Sequence, residues 1–311
     1  MNSPKAVSPI PSKIPVILDT DIGDDIDDTW ALAMLLKSPE LDLKMIVTDF
    51  GNTTYRATLV AKLLQIAERT DIPIGIGLQQ TDKTGAQAEW LDGYTLADYP
   101  GTVHQDGVGA MIDMIMAAPE PVTLLCIGPV PNISAALARE PRIVEKVRIV
   151  GMYGSVRKGY NGRSQVDPEY NVYSDVAACR QMFAAFPDVT ITPVDTCGLV
   201  RLDGSDYQKI VACPDPLIQA LIENNHIWAK HVTWTHVDTS EQSSVLFDTV
   251  AVYLVFAEEL LKIESLGIEI TDDGVTRIND KAKAIRVATE WHDLPAFNRF
   301  LVKRLTGTED E

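Results

Sequence analysis

Positively charged residues are scarce in this sequence, which has 27 lysines and arginines against 44 aspartates and glutamates and a net charge of −17. This deficit argues against nucleic acid and anionic membrane surfaces as partners. Long apolar runs and a basic, apolar N-terminal signal are also lacking, so we expect neither a membrane span nor a secretory leader. The four cysteines form no C-x-x-C pair, which favours buried free thiols and a cytoplasmic location.

The chain also lacks the features that separate domains. It has no internal repeat, no Gly/Ser linker and no shift in composition, and its apolar fraction of 46% suffices for a sizeable core. We therefore predict one domain over residues 14–311. The preceding residues 1–13 are rich in serine and proline and are expected to form a flexible tail.

What is present is a regular alternation of strand-like and helix-like segments. Apolar, β-prone stretches lie at 16–18, 43–48, 72–78, 122–127, 147–150 and 189–194. Helical spacing is found at 54–69, 109–118, 132–139, 175–186, 216–233 and 248–263. This alternation predicts parallel βαβ units. The expected fold class is α/β, with a single-domain, doubly wound, mostly parallel sheet and helices on both faces.

Six aspartates fall within residues 19–28, and no lysine or arginine interrupts them. They lie between a strand-like run (16–18) and a helix-like run (30–36), so they share one strand-to-helix turn. So many carboxylates would repel one another unless a cation lay among them, and Ca²⁺ suits a set of oxygen ligands. Helix capping explains one or two of the six, such as Asp27 and Asp28, and leaves the others unexplained.

Polar clusters follow several of the predicted strands, at residues 19–28, 49–52, 128–132 and from 151 onward. In open parallel sheets, ligands bind beyond the carboxyl ends of the strands. We therefore expect these clusters, which are distant in sequence, to converge on one site.

Taken in order, these motifs resemble those of the inosine-uridine nucleoside hydrolase family. The opening family motif, Asp-x-Asp-Pro-Gly-x-Asp-Asp, is similar to residues 19–28 with two residues inserted. Further similar stretches are Gly51-Asn52, His104 to Gly109, Gly128 to Asn132 and Asp167 to Ala178. The series spans roughly residues 14–255, which is most of the chain.

The resemblance implies hydrolysis of the N-glycosidic bond of a small-molecule ribonucleoside by a Ca²⁺-dependent enzyme, and it suggests a homodimer or homotetramer. Carried over by position, the ion would be bound by Asp21, Asp28, Asp248 and the carbonyl oxygen of Pro131. Asp21 would also act as general base. The ribose hydroxyls would be held by Asp27, Asn52, Asn161, Glu169 and Asn171.

These residue types suit the chemistry that the resemblance implies. Cleavage of the bond between ribose and base builds oxocarbenium-like positive charge on the sugar. Carboxylates and amides stabilise that charge and orient the hydroxyls. Ca²⁺ lowers the pKa of a bound water, and a coordinating carboxylate can take the proton as the water attacks.

The sequence departs from the family pattern at Phe247. Family members that protonate the leaving base carry a histidine there, directly before the late aspartate, and phenylalanine cannot donate a proton. Either another acid serves or the base leaves by another route. The segment 226–236 supplies three histidines and two tryptophans, and its tryptophans could stack on a base. The residues whose roles stay open are Asp25 (a rival to Asp27 or Asp28), His104, Trp228, His231 and Trp234.

Structural roles compete with several of these assignments. Asp248 and Asn132 could cap helices, and Glu169 and Asn171 could be solvated loop residues. The segment 226–236 could be an ordinary core or surface helix, and His104 could be structural.

Two other functions also compete. Haloacid-dehalogenase-like phosphatases share a strand followed by Asp-x-Asp and use Mg²⁺. Here, however, Gly23 stands where they carry Thr or Val, and the later clusters have no role in that scheme. A non-enzymatic protein that binds Ca²⁺ and a ribosyl ligand without turnover is the second alternative, because fold-level analogy does not secure activity.

Overall fold

The computed structural model describes residues 13–308, so most of the expected N-terminal tail lies outside the described residues. The strands are β1 Ile14–Thr20, β2 Leu41–Thr48, β3 Ile74–Ile76, β4 Val103–His104, β5 Val122–Cys126, β6 Val147–Met152, β7 Val189–Thr192, β8 Leu261–Ile270, β9 Thr276–Ile278 and β10 Ala284–Trp291. The α-helices are α1 Asp27–Leu36, α2 Thr53–Ile66, α3 Gly107–Ala117, α4 Pro131–Arg139, α5 Tyr170–Ser174, α6 Val176–Ala185, α7 Val194–Cys197, α8 Gly204–Val211, α9 Pro216–His231, α10 Phe247–Leu254 and α11 Leu294–Thr306.

The strands form one sheet in the order β4-β3-β2-β1-β5-β6-β7-β10-β8-β9. The pairs from β4 across to β10 are all parallel, and β8 and β9 add antiparallel strands at one edge. Strand order reverses between β1 and β5, so the loops that follow these two strands diverge and open a crevice at the carboxyl ends.

Successive side chains of the central strands enter two separate hydrophobic cores. Val16 and Leu18 of β1 pack into one core with α1, α2, α9, α10 and α11, whereas Ile17 packs into the other core with α3, α4 and α6. This alternation follows from the two-residue period of a strand. Helices therefore cover both faces of the sheet, which confirms the predicted α/β class.

The predicted helix over 248–263 is wrong in its second half. Helix α10 ends at Leu254, and β8 begins at Leu261. Burial alternates only over residues 268–270 of this strand, and residues 261–267 pair with β10 at the sheet edge. The antiparallel strands at this edge were not predicted. Within residues 13–308, no helix combines the length and apolarity that crossing a bilayer requires.

Candidate active site

A cavity of about 690 Å³ opens at the carboxyl ends of the strands. It is lined by many of the residues that the sequence singled out, namely Asp21, Asp25, Asp27, Asp28, Asn161, Glu169, Asn171, Trp228, Trp234 and Asp248. These residues come from segments as distant as β1 and α10. The clusters at 19–28 and from 151 onward therefore converge on one cavity as expected, whereas no residue of the clusters 49–52 and 128–132 lines it.

The acidic loop, residues 21–26 between β1 and α1, is held by side chains that bind its backbone carbonyl groups. Tyr55 Oη donates to the Gly23 carbonyl oxygen at 3.0 Å, and Gln87 Nε2 donates to that of Asp25 at 2.7 Å. Trp228 Nε1 donates to that of Asp24 at 3.0 Å. Trp228 is thus a buried clamp on the loop and also lines the cavity.

Arg56 of α2 provides the only positive charge that an ion pair brings to this loop within residues 13–308. Its buried guanidinium donates to the carbonyl oxygens of Asp21, Ile22 and Phe50, and Nη2 lies 2.8 Å from Asp24 Oδ2. Arg56 therefore neutralises Asp24 and leaves the other carboxylates of the loop without a cationic partner.

The aspartates at the start of α1 and α10 are not capping residues but lie in the first turn of each helix, where the helix dipole favours a carboxylate. Asp27 and Asp28 are the first two residues of α1, and Asp248 is the second residue of α10. The N-cap residues of both helices, Ile26 and Leu246, make no side-chain capping hydrogen bond. The interpretation of Asp248 as an N-cap is wrong, and all three carboxylates are buried and face the cavity.

Asp27, Asp28 and Asp248 each place one carboxylate oxygen within 4.8 Å of the others. Desolvation, followed by repulsion from neighbouring carboxylates, raises the pKa of each well above its usual value. Such a separation matches oxygens on a shared cation at about 2.3–2.6 Å from each. Hard oxygen donors, buried and short of positive charge, fit Ca²⁺.

Asp21 lies beside this trio and interacts electrostatically with all three of its members. Desolvation raises the pKa of Asp21 to about 7, against a lowering effect of Arg56. A carboxyl group with a pKa near neutrality suits a general base. Asp25 is half-buried, and desolvation raises its pKa to about 6.

Glu169 and Asn171 line the same cavity as the acidic loop. Glu169 is the N-cap of α5 and accepts hydrogen bonds from the backbone N–H groups of Gly154, Asn171 and Val172. Desolvation raises the pKa of Glu169 to about 7. Asn171 Nδ2 donates to the carbonyl oxygen of Ile127 at 3.1 Å. Both side chains are buried, so the interpretation of them as solvated loop residues is wrong.

Four of the singled-out residues lie away from the cavity. Pro131 is the first residue of α4, and the strand-end residue that lines the cavity is instead Ile127. Asn52 caps α2 and donates to the Asp82 carbonyl oxygen at 3.0 Å. His104 lines a separate groove at the opposite, amino-terminal side of the sheet.

His231, the last of the four, is an exposed partner of Glu89 at 2.7 Å. It lies at the end of α9, outside the set of residues that line the cavity. Trp234 is 60% exposed and lies at the cavity rim. The segment 226–236 is therefore partly a core helix and partly an exposed rim.

Asn132 does not cap a helix, so that prediction is wrong. Its Nδ2 donates to Asp19 Oδ2 at 2.9 Å and to the Thr48 carbonyl oxygen, and its Oδ1 accepts from the N–H group of Leu78. Asn132 thus ties together the ends of β1, β2 and β3.

Sequence reasoning missed several residues at this site. Asp49 closes β2 and lies buried beside Asp19, and burial and the Asp19 charge raise its pKa well above the usual value. Asp49 belongs to the strand-end cluster 49–52 that the sequence indicated, but no role was predicted for Asp49 itself. Tyr160 and Arg201 also line the cavity, but they lie in loops whose course the sequence does not indicate.

Comparison with known proteins places this geometry in context. The family described as inosine-uridine preferring nucleoside hydrolase matches residues 16–299. A probable uridine nucleosidase 2 of Arabidopsis thaliana is 24% identical over 90% of both chains. A pyrimidine-specific ribonucleoside hydrolase RihA of Photobacterium profundum is 30% identical over 67% of this chain and 69% of its own. A plant nucleoside hydrolase, PpNRh1, superposes with a TM-score of 0.80 at 21% identity, over 96% of this chain and 100% of its own.

Proposed function

The chain belongs to the family of inosine-uridine preferring nucleoside hydrolases, and we propose that it is a Ca²⁺-dependent enzyme that splits ribonucleosides into ribose and free base. One observation carries this proposal: the buried residues Asp27, Asp28 and Asp248 line the cavity and bring carboxylate oxygens within 4.8 Å of one another. A bound cation relieves the repulsion within this cluster at neutral pH, where burial and neighbouring carboxylates otherwise raise the pKa of each member well above its usual value.

We propose Asp28, Asp248 and Asp21 as side-chain ligands of Ca²⁺, with the carbonyl oxygen of Ile127 in the place first given to Pro131. Carboxylate oxygens of Asp27 and Asp248 lie within 4.8 Å of each other, and in the metal-free chain a proton shared between the two carboxyl groups relieves their repulsion. With the cation bound, Asp27 is free to accept a hydrogen bond from ribose.

The side chains of the protein have different roles in the proposed reaction. Ca²⁺, when bound, neutralises the carboxylates and lowers the pKa of a coordinated water. Asp21 accepts the proton of the attacking water. Asp27, Asn161, Glu169 and Asn171 hold the ribose hydroxyls, and their oxygens stabilise the positive charge that develops on the sugar.

A screen of nucleosides for release of reducing sugar, with and without a chelator, tests this proposal. We expect ribose from at least one of inosine, guanosine, adenosine, uridine and cytidine, loss of activity in chelator, and recovery on addition of Ca²⁺. Nucleoside binding without ribose release over hours would favour the non-catalytic alternative. Phosphate release from phosphomonoesters alone would favour the phosphatase.

We further propose a cytoplasmic location and a homodimeric or homotetrameric assembly. The four cysteines are buried free thiols, which supports a reducing compartment. The oligomeric state rests on the resemblance to the family, and sedimentation velocity measures it. The excess of acidic residues supports a small-molecule ribonucleoside rather than nucleic acid or membrane as the partner.

A further inference from the structure

The cavity has two chemically different sides. The acidic loop, Glu169 and Asn171 form the side that would hold ribose and cation. Most of the remaining lining residues are uncharged, and those of them that we take as the second side are aromatic or apolar, namely Tyr160, Gly198, Trp234, Val237, Val245 and Phe247. A base joined to ribose would project toward this second side, because its flat apolar rings suit aromatic neighbours.

The side chain of Phe247 cannot donate a proton, so this side of the cavity lacks a donor at the position where the family pattern has a histidine. Its ring meets that of Tyr160 edge to face, with centroids 5.9 Å apart. The Tyr160 hydroxyl accepts a hydrogen bond from the Tyr170 N–H group, and burial raises the pKa of Tyr160. A phenol held in its neutral form is a weak acid, so Tyr160 is a poor source of a full proton.

Arg201 is the only basic side chain among the described residues that line the cavity. Its guanidinium has one distant hydrogen bond, from Nη1 to Gln242 Oε1 at 3.5 Å, and no ion pair involves it within residues 13–308. The side chain is exposed. A guanidinium that faces a cavity without a carboxylate partner is available to a ligand.

The backbone of Arg201 is fixed beside the segment that leads to Phe247. The Leu246 N–H group donates to the Val200 carbonyl oxygen at 2.9 Å, and Leu202 and Ser243 exchange two hydrogen bonds. Asn298 Nδ2 donates to the Arg201 carbonyl oxygen at 3.1 Å. Arg201 is therefore held at the mouth of the side where a base would lie.

We propose that Arg201 binds the departing base and stabilises the negative charge that develops on it, in place of an acid at position 247. This inference rests on the proposed function and deepens it. The preferred substrates are nucleosides whose base leaves as an anion with a carbonyl oxygen or ring nitrogen that a guanidinium can bind.

The electrons and protons balance without proton transfer from Arg201. The bond from the sugar C1′ to the base nitrogen breaks, and its electron pair stays on the base. The water oxygen bonds to C1′, and Asp21 takes the water proton. The guanidinium keeps its protons because arginine is not deprotonated in proteins, and the released base is protonated by solvent.

The test compares substrates that need leaving-group stabilisation with one that needs little. We expect Arg201→Gln to lower kcat for inosine or uridine roughly 10- to 100-fold, by analogy with the loss of one oxyanion donor at a partly exposed site. For 4-nitrophenyl riboside, whose leaving group is already stable as an anion, the change should be below about threefold. Arg201→Lys should retain part of the activity, because it keeps the charge and loses the planar donor geometry.

Two controls separate this role from a structural one. Arg277→Gln removes the same charge from an exposed position on β9, outside the cavity, and should behave as wild type. The affinity for an iminoribitol, which carries no base, should be unchanged in Arg201→Gln, because the ribose side is untouched.

Each other outcome has a distinct meaning. Wild-type rates on inosine and uridine in Arg201→Gln, or equal losses on these nucleosides and on the nitrophenyl riboside, would overturn the role of Arg201. A leaving-group-dependent loss in Tyr160→Phe with none in Arg201→Gln would assign the role to the tyrosine hydroxyl. A wild-type protein that releases ribose from none of these compounds would overturn the proposed function as well.

Discussion

Arg56 shows how one residue can hold a dense acidic turn in place. Its guanidinium donates to three backbone carbonyl groups and pairs with Asp24, so four acceptors depend on one buried side chain. Loss of a buried donor leaves its acceptors unsatisfied, and this costs more than the net value of the hydrogen bonds themselves.

We predict that Arg56→Met lowers the free energy of unfolding by about 2–4 kcal/mol, because it removes a buried charge and its hydrogen bonds. Arg56→Lys should lower the free energy of unfolding by less, because lysine keeps the positive charge. Asp24→Asn, in which the carbonyl contacts survive, should cost at most about 1 kcal/mol, since the Asp24 side chain is partly exposed. Urea unfolding followed by circular dichroism measures all three, and equal losses in all three variants would contradict the role given to Arg56.

Asp21 and Asp27 lie close together, but substitutions at the two positions should have different effects on catalysis and on Ca²⁺ binding. Asp21→Asn should reduce kcat by roughly 10²–10⁴-fold, the range for loss of a general base, and should also weaken Ca²⁺ binding. Asp27→Asn should chiefly raise KM, with Ca²⁺ affinity close to that of wild type. Steady-state kinetics and calorimetric Ca²⁺ titration measure the two effects, and the reverse pattern would exchange the two assignments.

At the scale of elements, the sequence predicts the strand ends best. The acidic turn after β1 and the clusters after β2, β5 and β6 were recognised because parallel strands bring their carboxyl ends to one edge. The sequence could not show that Ile127 rather than Pro131 lines the cavity, because motif matching does not tell which peptide group of a loop faces a cavity. Arg56 was missed because its partners in the acidic loop, Asp21, Ile22 and Asp24, lie more than 30 residues away in sequence.

The C-terminal edge shows a different limit. Residues 255–263 continue the apolar character of α10, and a strand that pairs at a sheet edge is hard to distinguish from a helix extension by composition. Only the pairing of β8 with β10 decides between them. The core strands carry stronger signals, because burial on both faces leaves them nearly continuous in apolar residues.

Gly128 lies just beyond β5, and the close approach of Asp21 and Asp49 requires a small residue at this position. A Cβ atom there would lie 2.8 Å from Asp21 Oδ1 and 2.8 Å from Asp49 Oδ1. We predict that Gly128→Ala displaces Asp21, costs about 1–3 kcal/mol of stability through overpacking, and weakens Ca²⁺ binding. Thermal unfolding with and without Ca²⁺ tests this, and a wild-type response to Ca²⁺ would show that the strand end tolerates the methyl group.

At the scale of the whole molecule, the buried carboxylates couple stability to pH and to metal. The pKa values of Asp21 and Glu169 are raised to about 7 in the folded, metal-free chain, above their ordinary values near 4. The folded state therefore binds more protons than the unfolded state between these values, so the contribution of these groups to stability falls as pH rises from about 4 to about 7.

Ca²⁺ should reverse this loss, because the ion takes the place of the protons. We predict that the rise in Tm produced by Ca²⁺ is larger at pH 8 than at pH 5.5, and saturating Ca²⁺ at about 100 times its Kd adds about 2.7 kcal/mol. Scanning fluorimetry across this pH range measures the rise, with Asp248→Asn as the variant that should show none. A rise that shrinks as pH increases would contradict the linkage.

The most direct single measurement is the anomalous scattering of a crystal grown with Ca²⁺ in excess. We predict one strong peak per chain in contact with the carboxylates of Asp28 and Asp248, and none at the same place in crystals of Asp248→Asn. A well-ordered cavity without a peak, its carboxylates turned toward solvent, would contradict the proposal that a divalent cation organises this site.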